Sequence, residues 1–179
     1  MERVSEPTTR RRDKTGRDMV LSLSVLLVPI LVIGAILRAC GSSEPTVIDP
    51  SSAIDNARRA ALFTVIVPEG LGPDWRSVSA SFARTSDGTA GTLRLGYLAP
   101  GGGQVQLVES NEEAGALLSR ELGEDVRSQG EVRIDGQAWA SSLVRGEERA
   151  LVLAEPDRTV IVVGRASPDE LTTLAAALR

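Results

Sequence analysis

Between Asp18 and Arg38 the chain runs for nineteen residues, Met19–Leu37, without an ionisable side chain. No other feature limits the fold so sharply, because a helix of that length on a globular surface keeps a polar stripe toward water and this one has none. As a helix the run is roughly 28 Å long, close to the ~30 Å hydrocarbon core of a bilayer. Thirteen of the nineteen are Leu, Ile or Val, which together favour insertion by roughly 5 kcal/mol; Ser22, Ser24, Pro29 and Gly34 reduce that without reversing it. Pro29 breaks a helix in water but kinks one in lipid, where no solvent competes for the freed backbone groups. Met19–Leu37 therefore reads as a transmembrane helix with the lipid bilayer as its partner.

The flanks set the orientation. Arg3, Arg10, Arg11, Arg12, Lys14 and Arg17 precede the run, and Arg38 alone follows it before Arg58. Excess Lys and Arg marks the cytoplasmic side. The reading is a single-pass plasma-membrane protein with a basic cytoplasmic tail (1–18), the span (19–37), a stalk (38–52) and an extracytoplasmic domain (53–179).

Cys40 ends the apolar stretch in "ILRACGSSEP" and admits two readings. A lipoprotein signal needs an apolar region of about 7 to 15 residues and small neutral residues before the cysteine. Here the run is longer, and Arg38 occupies one of those positions, where it is better placed to reach the headgroups. The uncleaved anchor is the better supported reading; acylation of Cys40, or pairing of that lone cysteine between two chains, is the alternative.

The remainder carries short periodic segments. "SSEPTVIDPSS" has the Ser, Pro and acid content of a solvated stalk. "AIDNARRAAL" has helical spacing, with Ser51 or Ser52 as N-cap. Phe63–Val67 is β-branched and stopped by Pro68, so it reads as a strand before a turn that returns Trp75 to the protein. "RSVSASFAR" and "TLRLGYLA" alternate as an antiparallel pair, and "QVQLVES" follows after Pro100–Gly103. "GGGQVQLVES" resembles the opening of an antibody variable domain, but that fold clamps two cysteines around a tryptophan, and Cys40 is single. "NEEAGALLSREL" reads as a helix capped by Asn111. Strands at "EVRI", "QAWASSLV" and "RALVLAEP" follow, joined at Asp135-Gly136 and Arg145-Gly146. "TVIVVG" is apolar on consecutive positions, as a central strand covered on both sides would be. In "SPDELTTLAAALR", Ser167, Pro168, Asp169 and Glu170 form a capping-box helix start, with Leu171, Leu174 and Leu178 inward. Without long βαβ alternation the expected class is α+β, an antiparallel sheet flanked by helices.

The chemistry is narrowed by what the sequence lacks. There is no histidine, the one lysine is Lys14 and the one cysteine is Cys40. Histidine triads, Cys-His dyads, common zinc sites, Schiff bases and thiol mechanisms are thereby removed from the exported domain. No metal or cofactor is expected, and "DGTAGTL" lacks the alternating oxygens of a calcium loop. Gly101–Gly103 is not followed by the Lys and Ser or Thr of a phosphate loop and reads as a flexible hairpin. Carboxylates remain, nineteen beyond residue 44 against thirteen arginines. The pairs Glu112–Glu113, Glu124–Asp125 and Glu147–Glu148 are adjacent, and neighbours in sequence do not face one site. The acidic exported face argues against nucleic acid.

"RDMVLSLSVLLVP", "FTVIVPEGLGPDW", "LGYLAPGGGQVQLVES", "GQAWASSLV" and "TVIVVGRASPDELTTLAAALR", in that order, resemble the actinobacterial DUF4245 family of uncharacterised membrane proteins from Arg17 to Arg179. The resemblance implies a location and no activity. A strand ending in Pro and followed by Trp, ahead of further strands and helices, is similar to the Mog1/PsbP-like α/β/α sandwich; a fold carries no function by itself. Two functions stay open. One is a non-enzymatic binding or assembly module for an envelope protein, lipid or glycan, with an apolar or concave patch near Trp75, Tyr97 or Trp139. The other is a carboxylate-based hydrolase, which requires two acids converging across strands, one of them neutral at pH 7.

Overall fold

The computed structural model describes residues 16–40 and 46–179, with side chains over 21–35 and 46–179. Seven strands, β1 (Arg76–Arg84), β2 (Gly91–Leu98), β3 (Gln104–Ser110), β4 (Arg127–Ile134), β5 (Gln137–Leu143), β6 (Arg149–Ala154) and β7 (Thr159–Gly164), form one antiparallel sheet. Their order is β1-β2-β3-β7-β6-β5-β4. The unbroken apolar run "TVIVVG" thus lies at the centre, between β3 and β6. Val160 and Val162 join one core cluster and Ile161 the other, and all three are fully buried. Both faces of β7 are therefore covered, which is why its sequence does not alternate.

Two helices, α2 (Ser51–Ala60) and α4 (Pro168–Ala176), close the larger core, where Ala53, Ala57, Leu171 and Leu174 meet Leu95, Leu107 and Val162. On the opposite face α3 (Ala114–Leu122) places Leu117 and Leu122 against Val108, Ala150 and Ile161. The domain is the expected α+β type, one antiparallel sheet with flanking helices.

Several local expectations are corrected. Phe63–Val67 joins no strand of the sheet, and Phe63 itself lies in a bend. Val67 exchanges two backbone hydrogen bonds with Arg179, and Pro68 bridges Leu178. The β-branched run is satisfied by the chain's last residues instead of a sheet edge, and Pro68 has no N–H to extend a ladder. Helix α2 begins at Ser51 and Pro50 is its N-cap with no side-chain bond, so neither serine caps it; Asp49 instead accepts from the Ser51 N–H at 2.9 Å. Ile48 already bonds to Ser77, so domain contacts begin within the segment read as a stalk. Helix α3 is capped by Glu113, whose carboxylate takes the N–H groups of Gly115 and Ala116. Asn111 is engaged elsewhere: it accepts from Gly91 and donates to Thr89. Strand β4 starts four residues before "EVRI", at Arg127, and includes a bulge between Ser128 and Gly130; β1 has another between Ser77 and Ser79.

The capping box of α4 forms as its sequence indicates. Ser167 accepts from Glu170 N, and the Glu170 carboxylate takes the Ser167 N–H. That carboxylate also takes the Gly101 N–H at 2.7 Å, tying the Pro100–Gly103 loop to α4. Two glycines are dictated by close approach: a Cβ on Gly103 would lie 2.7 Å from Ala166 Cα, and one on Gly164 would overlap the carbonyl oxygen of Gln104.

Helix α1 (Gly16–Cys40) belongs to a separate unit from the domain that begins at Pro45. Its described side chains, 21–35, are all exposed. Among the described residues no helix is long and apolar enough to cross a membrane. Residues 1–15 of the basic tail, residues 41–45 of the stalk, and the side chains of Arg38 and Cys40 lie outside the described residues.

Candidate functional site

Helix α3 covers only part of its face of the sheet. Along β3 the side chains on that face are Gln104, Gln106, Val108 and Ser110. Val108 is sealed beneath Leu117 and Leu122, whereas Gln104 and Gln106 floor an open cleft of about 580 Å³ together with Ser79, Gly96 and Val163. Polar amides at two positions of a strand whose other face is core keep this floor wet.

The cleft walls are ionic. From the end of α3, Arg120 grips Glu112 through two nitrogens at 2.6 and 3.1 Å and also reaches Glu121 at 3.2 Å. Arg94 of β2 bonds Glu121 as well. Burial pushes the Glu121 carboxyl up, but the hydrogen bonds and charges of Arg94 and Arg120 outweigh it and hold the group below its ordinary range. Glu112 is lowered by its hydrogen bonds to Arg120 and then Thr92. Opposite them stand Arg145 and Glu148, from the β5–β6 turn. In that turn Gly146 and Glu147 both have positive φ, 62° and 67°, a conformation Glu adopts only under local constraint. Neither Gln104, Gln106 nor Arg145 has a side-chain hydrogen bond or ion pair among the described residues.

A second cluster lies on the opposite face. Glu109 of β3, level with Leu93 and Val160 on the flanking strands, is wholly buried. Its Oε2 accepts the Ile66 N–H at 3.1 Å and lies 3.8 Å from Arg158 Nη1, while Oε1 has no hydrogen-bond partner among the described residues. Arg158, also buried, donates from Nε to Glu155 at 2.6 Å and from Nη1 to the Thr64 carbonyl. Burial drives the Glu109 pKa up to about 7; the Ile66 N–H and the Arg158 charge oppose that rise. Tyr97 is raised to about 12 by burial and by the charge of Glu109. Beside this cluster is a cavity of about 150 Å³ lined by Ile66, Trp139, Leu153, Glu155, Arg158 and Leu178.

The three aromatic candidates do not form one exposed patch. Trp139 is 1% exposed, borders the small cavity, and has no partner for its indole N–H among the described residues. Tyr97 is buried in the larger core and borders the α3-face cleft. Trp75 is half-buried against the larger core. Glu112 and Glu148 were named from sequence only as members of adjacent acid pairs, and Gln104, Gln106, Glu121, Glu109 and Arg158 were not singled out. One signal was there: Val105, Leu107 and Glu109 alternate onto a single face of "QVQLVES", so an acid occupies a core position. Arg158, in a turn, offers no comparable signal.

Glu109 and Glu155 meet at Arg158, the nearest approach here to a pair of converging acids. Arg158 bonds Glu155 and faces Glu109, and Glu109 does not reach the cavity wall. Among the described residues no group of three or more His, Cys, Asp or Glu side chains is placed to hold a metal ion.

A family model described as "Protein of unknown function (DUF4245)" matches residues 11–178, and the chain belongs to that family. A search of curated proteins finds no match.

Proposed function

We propose that this protein is a non-enzymatic binding module of the cell envelope, anchored by Met19–Leu37 with its C-terminal domain outside the plasma membrane. The cleft beside α3 is its binding surface. One observation carries this reading: the cleft floor offers two uncommitted amides, and one wall offers an uncommitted guanidinium, beside Arg–Glu pairs that are already satisfied. Amides both donate and accept, and a guanidinium takes a carboxylate or phosphate. The partner implied is polar, rich in hydrogen-bonding groups, and carries an acid opposite Arg145.

The anchor is supported by the uncharged nineteen-residue run and its basic flank. The described side chains of α1 are a shorter stretch, and apolar side chains exposed all round need an apolar phase. A carboxylate hydrolase draws on the raised Glu109 beside Glu155. It requires Glu109 to touch substrate, and that side chain is 0% exposed and lines neither cavity.

A photo-crosslinking residue at Gln106, in the full chain in intact cells, tests the cleft. One discrete adduct is expected, lost in a Gln104→Ala/Arg145→Ala variant of unchanged thermal midpoint. An adduct that survives those substitutions removes the cleft from the reading. Topology is tested with Ser86→Cys in a Cys40→Ser background: an impermeant thiol reagent labels it in intact cells if the domain is exported. A mature chain starting at an acylated Cys40 would replace the anchor with a lipid.

A further inference from the structure

Thr64–Pro68 lies over the larger core without being a strand of the sheet, and its backbone is held from two directions. At the end of the segment, Val67 and Pro68 pair with Leu178 and Arg179. At its middle the holders are side chains: Glu109 takes the Ile66 N–H and Arg158 gives to the Thr64 carbonyl. Ile66, Leu178 and Arg179 at the same time wall the 150 Å³ cavity where the Trp139 indole N–H is unsatisfied.

We propose that this segment is a strap latched by Glu109 and Arg158, and that negative charge on Glu109 releases it to widen the cavity. The geometry gives the direction. A carboxylate 0% exposed, with one oxygen unpartnered among the described residues and its cation at 3.8 Å, is incompletely compensated, and hydration is the available relief. The charged and titratable groups around Glu109 are Arg158 from the β6–β7 turn, Glu155 from the end of β6, Arg58 from α2 and Tyr97 from β2. Arg158 is shared with Glu155 at 2.6 Å, so its charge is divided. Glu155 repels Glu109 and Arg58 attracts it from farther off, which leaves burial dominant. Glu109 holds the strap directly through Oε2, so lifting the strap is the motion that brings water to the carboxylate. The closed form therefore belongs to the protonated carboxyl and the open form to the carboxylate.

Hydrogen exchange of the full chain in detergent, corrected for intrinsic rates, reads the latch at Ile66 and Val67. With a closed-form pKa of about 7 and an open-form value of about 4.5, opening should rise roughly 30-fold between pH 5.5 and pH 8. Glu109→Gln keeps an oxygen for the Ile66 N–H but cannot ionise, and its exchange should be pH-independent. Equal protection of the wild type at both pH values, or an unchanged pH dependence in Glu109→Gln, overturns the proposal. Should that variant not fold, carbon-13 labelling of the wild-type glutamates decides. The Glu109 carboxyl must titrate with the midpoint of the exchange change, and a midpoint in the ordinary carboxyl range overturns it.

Discussion

Glu109 gives the domain an unusual dependence on pH. Its folded pKa, about 7, lies above its ordinary value of 4.5. Between those values the folded form binds more protons than the unfolded one, so stability falls as pH rises from about 4.5 to about 7 and then levels. The loss is on the order of 3 kcal/mol, and Glu109→Gln should remove this slope in thermal melts followed by tryptophan fluorescence. Glu112 and Glu121 act oppositely. Their lowered values contribute stability above their ordinary range that disappears on acidification below it. A second expectation concerns Gly164, where a methyl group would meet the neighbouring strand's backbone. Gly164→Ala should cost roughly 1–3 kcal/mol, seen as a lower denaturation midpoint. Individual residues were unevenly legible. Glu109 interrupts a period-two apolar pattern and could be found by counting, whereas the need for glycine at 164 comes from a carbonyl on β3, far away in sequence.

Among the elements, the start of α4 was legible because all its parts are local, but the helix ends at Ala176, and Leu178, read as part of its inner face, bridges Pro68 instead. Ser167→Ala should cost about 1 kcal/mol and lower the melting temperature by a few degrees. Loss of Glu170 should cost more, since it also holds Gly101. Helix α3 was legible in its apolar face and misread at its cap. Asn111 is the better capping residue by type, but β2 claims it through Gly91, and Glu113 takes the helix N–H groups. Glu113→Ala should therefore weaken α3, and Asn111→Ala should loosen the β1–β2 turn instead; exchange rates at Gly115, Ala116 and Gly91 separate the two. The segment 63–67 was misread for a related reason. Its β-branched composition specifies an extended backbone without specifying the partner, and the partners are Arg179, Glu109 and Arg158.

For the whole molecule, the chain divides at Pro45 into two units, the first of which is the anchor on the proposed reading. A chain beginning at Pro45 should remain soluble and folded, while the full chain should resist alkaline extraction from membranes; release of the full chain by carbonate would remove the anchor. The cleft could not be read from sequence, because it arises where α3 ends and the β5–β6 turn approaches, and neither position follows from a local pattern. The two outer strands carry their irregularities at Ser77–Ser79 and Ser128–Gly130. A bulge interrupts the row of donors and acceptors at each margin, which discourages lengthening of the sheet by a neighbour's strand. Whatever docks on this domain must come broadside, recognising side chains instead of backbone.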